Sequence, residues 1–149
     1  MAYAETTKVP LEQSIAEIIG MVRKAGAEQL GQFHDRDRFV IMFTLGDRQM
    51  KFTVPLVTVY KGPAFHGNGR EVDKKAWLEQ RNRQKGRALM LVIKAKLESV
   101  ESGVESFEQA FLANIIVHGG QTVYEQIREP LSLQYTEGKV APLMLEGPR

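Results

Sequence analysis

The stretch from Asp73 to Gly103, DKKAWLEQRNRQKGRALMLVIKAKLESVESG, decides the fold. It predicts one long helix, closed by Gly103 and extending about 45 Å at 1.5 Å per residue. Its first half carries Lys74, Lys75, Arg81, Arg83, Lys85 and Arg87, whereas its second half is apolar from Ala88 to Ile93. Leu89, Val92, Ile93 and Val100 recur at helical spacing and are the residues to place on a core. A rod this long exceeds the sheet that it packs on, so the basic half is expected to project, with Gly86 at the junction permitting a bend.

Working upstream, helical periodicity begins after Pro10. Leu11, Ile15, Ile18, Ile19 and Val22 form one face of a short amphipathic helix that closes with Lys24 and Gly26. Gly20 inside it costs up to about 1 kcal/mol relative to alanine unless another element packs closely there. The period then changes to two. Arg38 to Thr44 is rich in β-branched and aromatic residues, Gly46-Asp47 marks a turn, and Met50, Phe52, Val54 and Leu56 alternate with polar residues. A weaker strand from Ala27 to Phe33, joined through His34-Asp35-Arg36-Asp37, completes a three-stranded antiparallel meander whose apolar face needs a cover. The two helices are the candidates. Residues 57–72, VTVYKGPAFHGNGREV, break both periods and form a long loop of the kind that is commonly functional or mobile, sharing one surface with the basic end of the long helix.

Downstream of Gly103, Ser106 and Gln109 make a capping box, and Phe107, Phe111, Leu112 and Ile115 a buried stripe. Residues 116–123 read as a tight turn between two short extended pieces. Val123 to Arg128 starts a short helix that Pro130 interrupts, followed by a further short helix and an irregular tail containing Pro142 and Pro148. The fold class is therefore α+β in a single domain spanning residues 1–149: a three-stranded antiparallel sheet, an N-terminal helix, a long basic helix and a small C-terminal helical part.

At 149 residues a chain buries roughly 70% of its unfolded surface, enough for a core without disulfides or metal. The absence of cysteine excludes a disulfide scaffold, thiol catalysis and a Cys-ligated zinc site. No apolar run approaches the 18 to 20 or so residues that a bilayer requires, and the start has no signal-peptide pattern, so the expected location is the cytoplasm. The net charge of +2 hides an asymmetry: residues 70–96 carry 9 basic and 3 acidic side chains, and residues 97–149 carry 3 and 8. Such a distribution attracts a polyanion to one region, or pairs one region with the other or with a second copy.

The basic stripe is the leading candidate site. At 100° per residue Arg83, Arg87 and Lys94 fall along one side of the helix and Lys74, Arg81 and Lys85 along another, two rows suited to a phosphate backbone. Trp77 lies between them, either as an exposed indole that stacks on a base or as an anchor to the sheet. His34, His66 and His118 occupy three different turns or loops without metal-binding spacing, and Gly62, Gly67 and Gly69 match no phosphate-binding loop. Asp35 and Asp37 alternate with arginines and read as a neutral turn more than as a cation site. Catalysis, cofactors and metal are accordingly not expected. The acidic row Glu98, Glu101, Glu105 and Glu108 reads as solvated, or as a mimic of nucleic acid or a complement to the basic end of another copy.

The phrases AYAETTKVP, SIAEI, RALMLVIKAKLESVESG, SFEQAFLANIIV and GGQTVYE together resemble a family of small uncharacterised proteins of tailed bacteriophages and prophages. The resemblance covers most of the chain. It implies a phage or prophage origin and a role in the cytoplasm of the infected cell, and it carries over no active site. The expected function is a non-catalytic protein, oligomeric in itself, that binds nucleic acid in replication or recombination through Lys74, Lys75, Trp77, Arg81, Arg83, Lys85 and Arg87. The alternative is a phage inhibitor that binds a host or defence protein.

Overall fold

A computed structural model of the chain describes residues 4–138 together with Pro142 and Leu143. The element order is α1 (Leu11–Lys24), β1 (Glu28–His34), β2 (Arg38–Leu45), β3 (Arg48–Pro55), α2 (Lys74–Glu101), α3 (Phe107–Phe111), a 3-10 turn (Leu112–Asn114) and α4 (Val123–Glu137). The strands form one antiparallel sheet in the order β1-β2-β3. This is the expected α+β class.

Strand alternation sets which face is buried. Ile41 pairs with Phe52 and Phe43 with Met50, so these four and Phe39 project to one side of the sheet. There they meet Ile15, Ile18 and Val22 of α1 and Leu89, Met90 and Ile93 of α2, all buried in a single core. Phe111 of α3 closes one end, its ring edge-on to Phe52 at 6.3 Å. Strand β1 contributes little to this core. Its register slips between Glu28 and Gly31, with Gln29 at φ 51, and such a bulge twists an unpaired edge away from further strand pairing.

The two helices cross where side chains vanish. A Cβ built on Gly86 would stand 2.6 Å from Leu11 Cδ1 and 3.5 Å from Ser14 Cβ, so the glycine serves close approach of α1. The helix itself continues through Gly86 without interruption. Gly20 has nothing within 4 Å of its own Cβ position, and close packing does not account for it.

At the C-terminal side, α4 differs from expectation. It runs from Val123 to Glu137 through Pro130 as one helix. Proline's φ is compatible with helix, and the loss there is the bond to the carbonyl four residues back. Both ends are capped, by the Thr122–Glu125 capping box at the start and by Gly138 in the left-handed conformation at the finish. The helix is tied to the sheet by the Lys51–Glu125 ion pair at 3.1 Å. The expected irregular tail, apart from Pro142 and Leu143, lies outside the described residues.

Candidate nucleic-acid interface

The basic half of α2 does not stand free of the fold, because two segments flank it. On one side Gln80 donates through Nε2 to the carbonyls of Glu5 at 3.0 Å and Thr7 at 2.9 Å, securing the segment before α1. On the other, Asn82 clamps one peptide unit: its Oδ1 accepts from the Val57 N–H at 2.8 Å and its Nδ2 donates to the Val57 carbonyl at 3.2 Å. The expected projection is therefore corrected. Unpaired backbone groups of irregular segments need partners, and the polar side chains among the arginines and lysines supply them.

These contacts divide the expected basic rows. Arg87 pairs with Glu17 of α1 and its side chain is 26% exposed, so its charge is already committed within the protein. Arg83 donates through Nε to Gln80 Oε1 at 3.2 Å, orienting the amide that holds the N-terminal segment. Lys85 is half-buried. The row formed by Arg83, Arg87 and Lys94 is thus not a continuous phosphate track. Lys74, Lys75 and Arg81 remain exposed.

Trp77 is half-buried and engaged on more than one side. The Tyr60 ring meets it edge-on at 4.9 Å between centroids, and the Arg81 guanidinium lies 4.9 Å from its centroid. Its indole anchors the loop between β3 and α2 and props Arg81, which leaves it poorly placed to stack on a base. Lys74 in turn lies 6.0 Å from the Tyr60 ring. The Tyr60 hydroxyl donates to the Pro63 carbonyl at 2.7 Å, and a Cβ on Gly62 would come within 2.6 Å of that hydroxyl, so a larger residue there would displace the ring.

Beyond Pro63 the loop becomes a small hairpin finger. Phe65 and Glu71 form an antiparallel bridge, the His66 N–H donates to the Arg70 carbonyl at 2.7 Å, and the Val72 N–H donates to the Ala64 carbonyl at 3.0 Å. Gly69 at φ 82 makes the reversal, with Asn68 Oδ1 accepting from the Arg70 N–H. Asp73 then caps α2 by accepting from the Ala76 N–H at 3.0 Å. The finger and its base add Lys61 and Arg70, both exposed, to Lys74, Lys75 and Arg81. The sequence named this loop as part of the surface but did not single out these residues; the signal available was their place between a turn and a basic helix start.

The remaining candidates are accounted for by structure. Asp35 Oδ1 accepts from the N–H groups of Asp37 and Arg38 at 2.8 and 2.9 Å, and these two bonds, in that order, hold its carboxyl below the usual range. Among the described residues no group of three or more His, Asp or Glu side chains is placed to hold a metal ion. The expected solvated acidic row is partly used: Glu108 pairs with Arg48 at 3.1 Å, and Glu105 accepts from the Ser99 hydroxyl at 2.7 Å. A separate groove of about 670 Å³ lies between α1, α2 and α3, with an apolar floor that includes Met21, Leu97 and Phe107 and a rim of Lys24, Lys94, Glu98 and Glu101. No described helix is long and apolar enough to cross a membrane. Comparison with family models, curated proteins and solved structures gives no match.

Proposed function

We propose that this protein binds nucleic acid without catalysing a reaction on it, as an accessory factor of phage replication or recombination in the host cytoplasm. The observation that supports this reading best is the union of Lys61 and Arg70 from the loop with Lys74, Lys75 and Arg81 from the start of α2. The Asn82 clamp and the Tyr60–Trp77 contact fix the start of the loop to the helix, so the backbone leading to Lys61 is held against the start of α2. Carboxylates lie close by and offset part of this charge: Asp73 caps the helix, Glu79 sits 4.0 Å from Lys75, and Glu71 follows Arg70 on the finger.

A surface that neutralises about four or five phosphates loses affinity with a log-log salt slope of roughly −3 to −5. Fluorescence anisotropy with labelled DNA and RNA across a salt series measures this directly. The double substitution Lys74→Gln with Lys75→Gln makes the slope shallower by about 2. Arg83→Gln and Arg87→Gln change stability more than slope, because those side chains are held by Gln80 and Glu17. Absence of binding to every nucleic acid at about 50 mM salt defeats the proposal. Retention of a host protein from nuclease-treated lysate would then favour the inhibitor reading.

A further inference from the structure

We infer that the ligand of this surface is a single strand, and that Phe65 on the hairpin finger is the residue on which a base stacks. The inference rests on the nucleic-acid reading above and adds the form of the ligand and the residue that selects it. Phe65 is 60% exposed although its backbone is fixed by the bridge to Glu71. An aromatic ring held out on a hydrogen-bonded finger loses little conformational freedom on contact, which favours its use in recognition.

The chemistry around the ring separates base from backbone. Bonds from His66 to Arg70 and from Val72 to Ala64 make Phe65 and Glu71 a directly opposed pair without mutual hydrogen bonds, the arrangement in which side chains on one face stand closest. A carboxylate beside the ring repels phosphate, yet it can accept from the exocyclic amino group of a base. Arg70 stands on the finger itself, next to Glu71, while Lys61 lies at its base and Lys74, Lys75 and Arg81 along the start of α2. A strand therefore lies with phosphates toward Lys74, Lys75 and Arg81 and bases toward Phe65. A duplex keeps its base faces covered by stacking and offers nothing to that ring, whereas single strands are held by this combination of charge and aromatic platform.

The test compares a single strand of about 20 nucleotides with the corresponding duplex by anisotropy. Wild type, Phe65→Ala, Phe65→Leu, Phe65→Trp and the Lys74→Gln/Lys75→Gln pair are each checked by circular dichroism for unchanged folding. Phe65→Ala is expected to weaken single-strand binding by roughly five-fold to a hundred-fold while leaving duplex binding and the salt slope unchanged. Leucine, apolar but without a π face, does not restore affinity; tryptophan does, and its fluorescence is quenched by the strand beyond any change at Trp77. Equal losses on strand and duplex, full rescue by leucine, or no effect of Phe65→Ala overturns the inference alone, provided that the lysine pair still lowers the slope. Failure of any nucleic acid to bind overturns both.

Discussion

Replacing Asn82 by alanine tests whether the loop is held by α2 as described. The side chain makes two hydrogen bonds to one peptide unit, at 2.8 and 3.2 Å, in a part-buried setting. Each bond contributes about 1 kcal/mol net, and truncation leaves both Val57 groups to find other partners, so the expected loss is about 2 kcal/mol. For a chain of this length that corresponds to a fall in Tm of roughly 4 to 8 °C. Asn82→Asp keeps the acceptor but sets a carboxylate against the Val57 carbonyl, and loses at least as much. Urea unfolding gives the energy, and hydrogen exchange at the Val57 amide gives its location. Nucleic-acid affinity should also fall, although no charge has been removed, because the loop that carries Lys61 and Arg70 is no longer tied to α2 at Val57. Stability within about 0.3 kcal/mol of wild type, with the Val57 amide as protected as before, would refute the reasoning.

Two glycine substitutions on packed helices should have opposite signs. Gly86→Ala gains about 1 kcal/mol of helix propensity but drives Cβ into buried Leu11, an overpacking cost of about 1 to 3 kcal/mol, for a net loss read by urea unfolding. Gly20→Ala meets no atom within 4 Å and should stabilise by up to about 1 kcal/mol. Acid should loosen α4: burial alone raises the Glu125 carboxyl, but the Lys51 bond and then those to Thr122 hold it below its ordinary 4.5. Its contribution is thus present above that value and lost as pH falls through the lower folded pKa, so a helical signal that declines there in wild type should be absent from the change in Glu125→Gln. Self-association is a separate proposal, in which the exposed cations of segment 70–96 of one copy meet the acidic segment 97–149 of another; sedimentation as a monomer at micromolar concentration would count against it.

Local pattern determined the elements. The change from a period near four to a period of two placed α1 and the strands, Gly103 ended α2 at φ 79, and Ser106 with Gln109 made the expected capping box, because each depends on neighbours in the chain. Pro130 was misleading: a local rule stops a helix there, whereas α4 continues through it to Gly138. Sequence also located the basic segment but not its usable charges. Helical spacing makes Arg83 and Arg87 look like Lys74 and Arg81, and only packing against Gln80 and Glu17 tells them apart. Likewise Trp77 and Phe65 are both aromatic residues among cations, and tertiary contacts decide that Tyr60 and Arg81 occupy the first while the finger exposes the second. Charge and periodicity are properties of a residue and its near neighbours; availability depends on partners that lie from three to more than seventy positions away and are brought in only by folding.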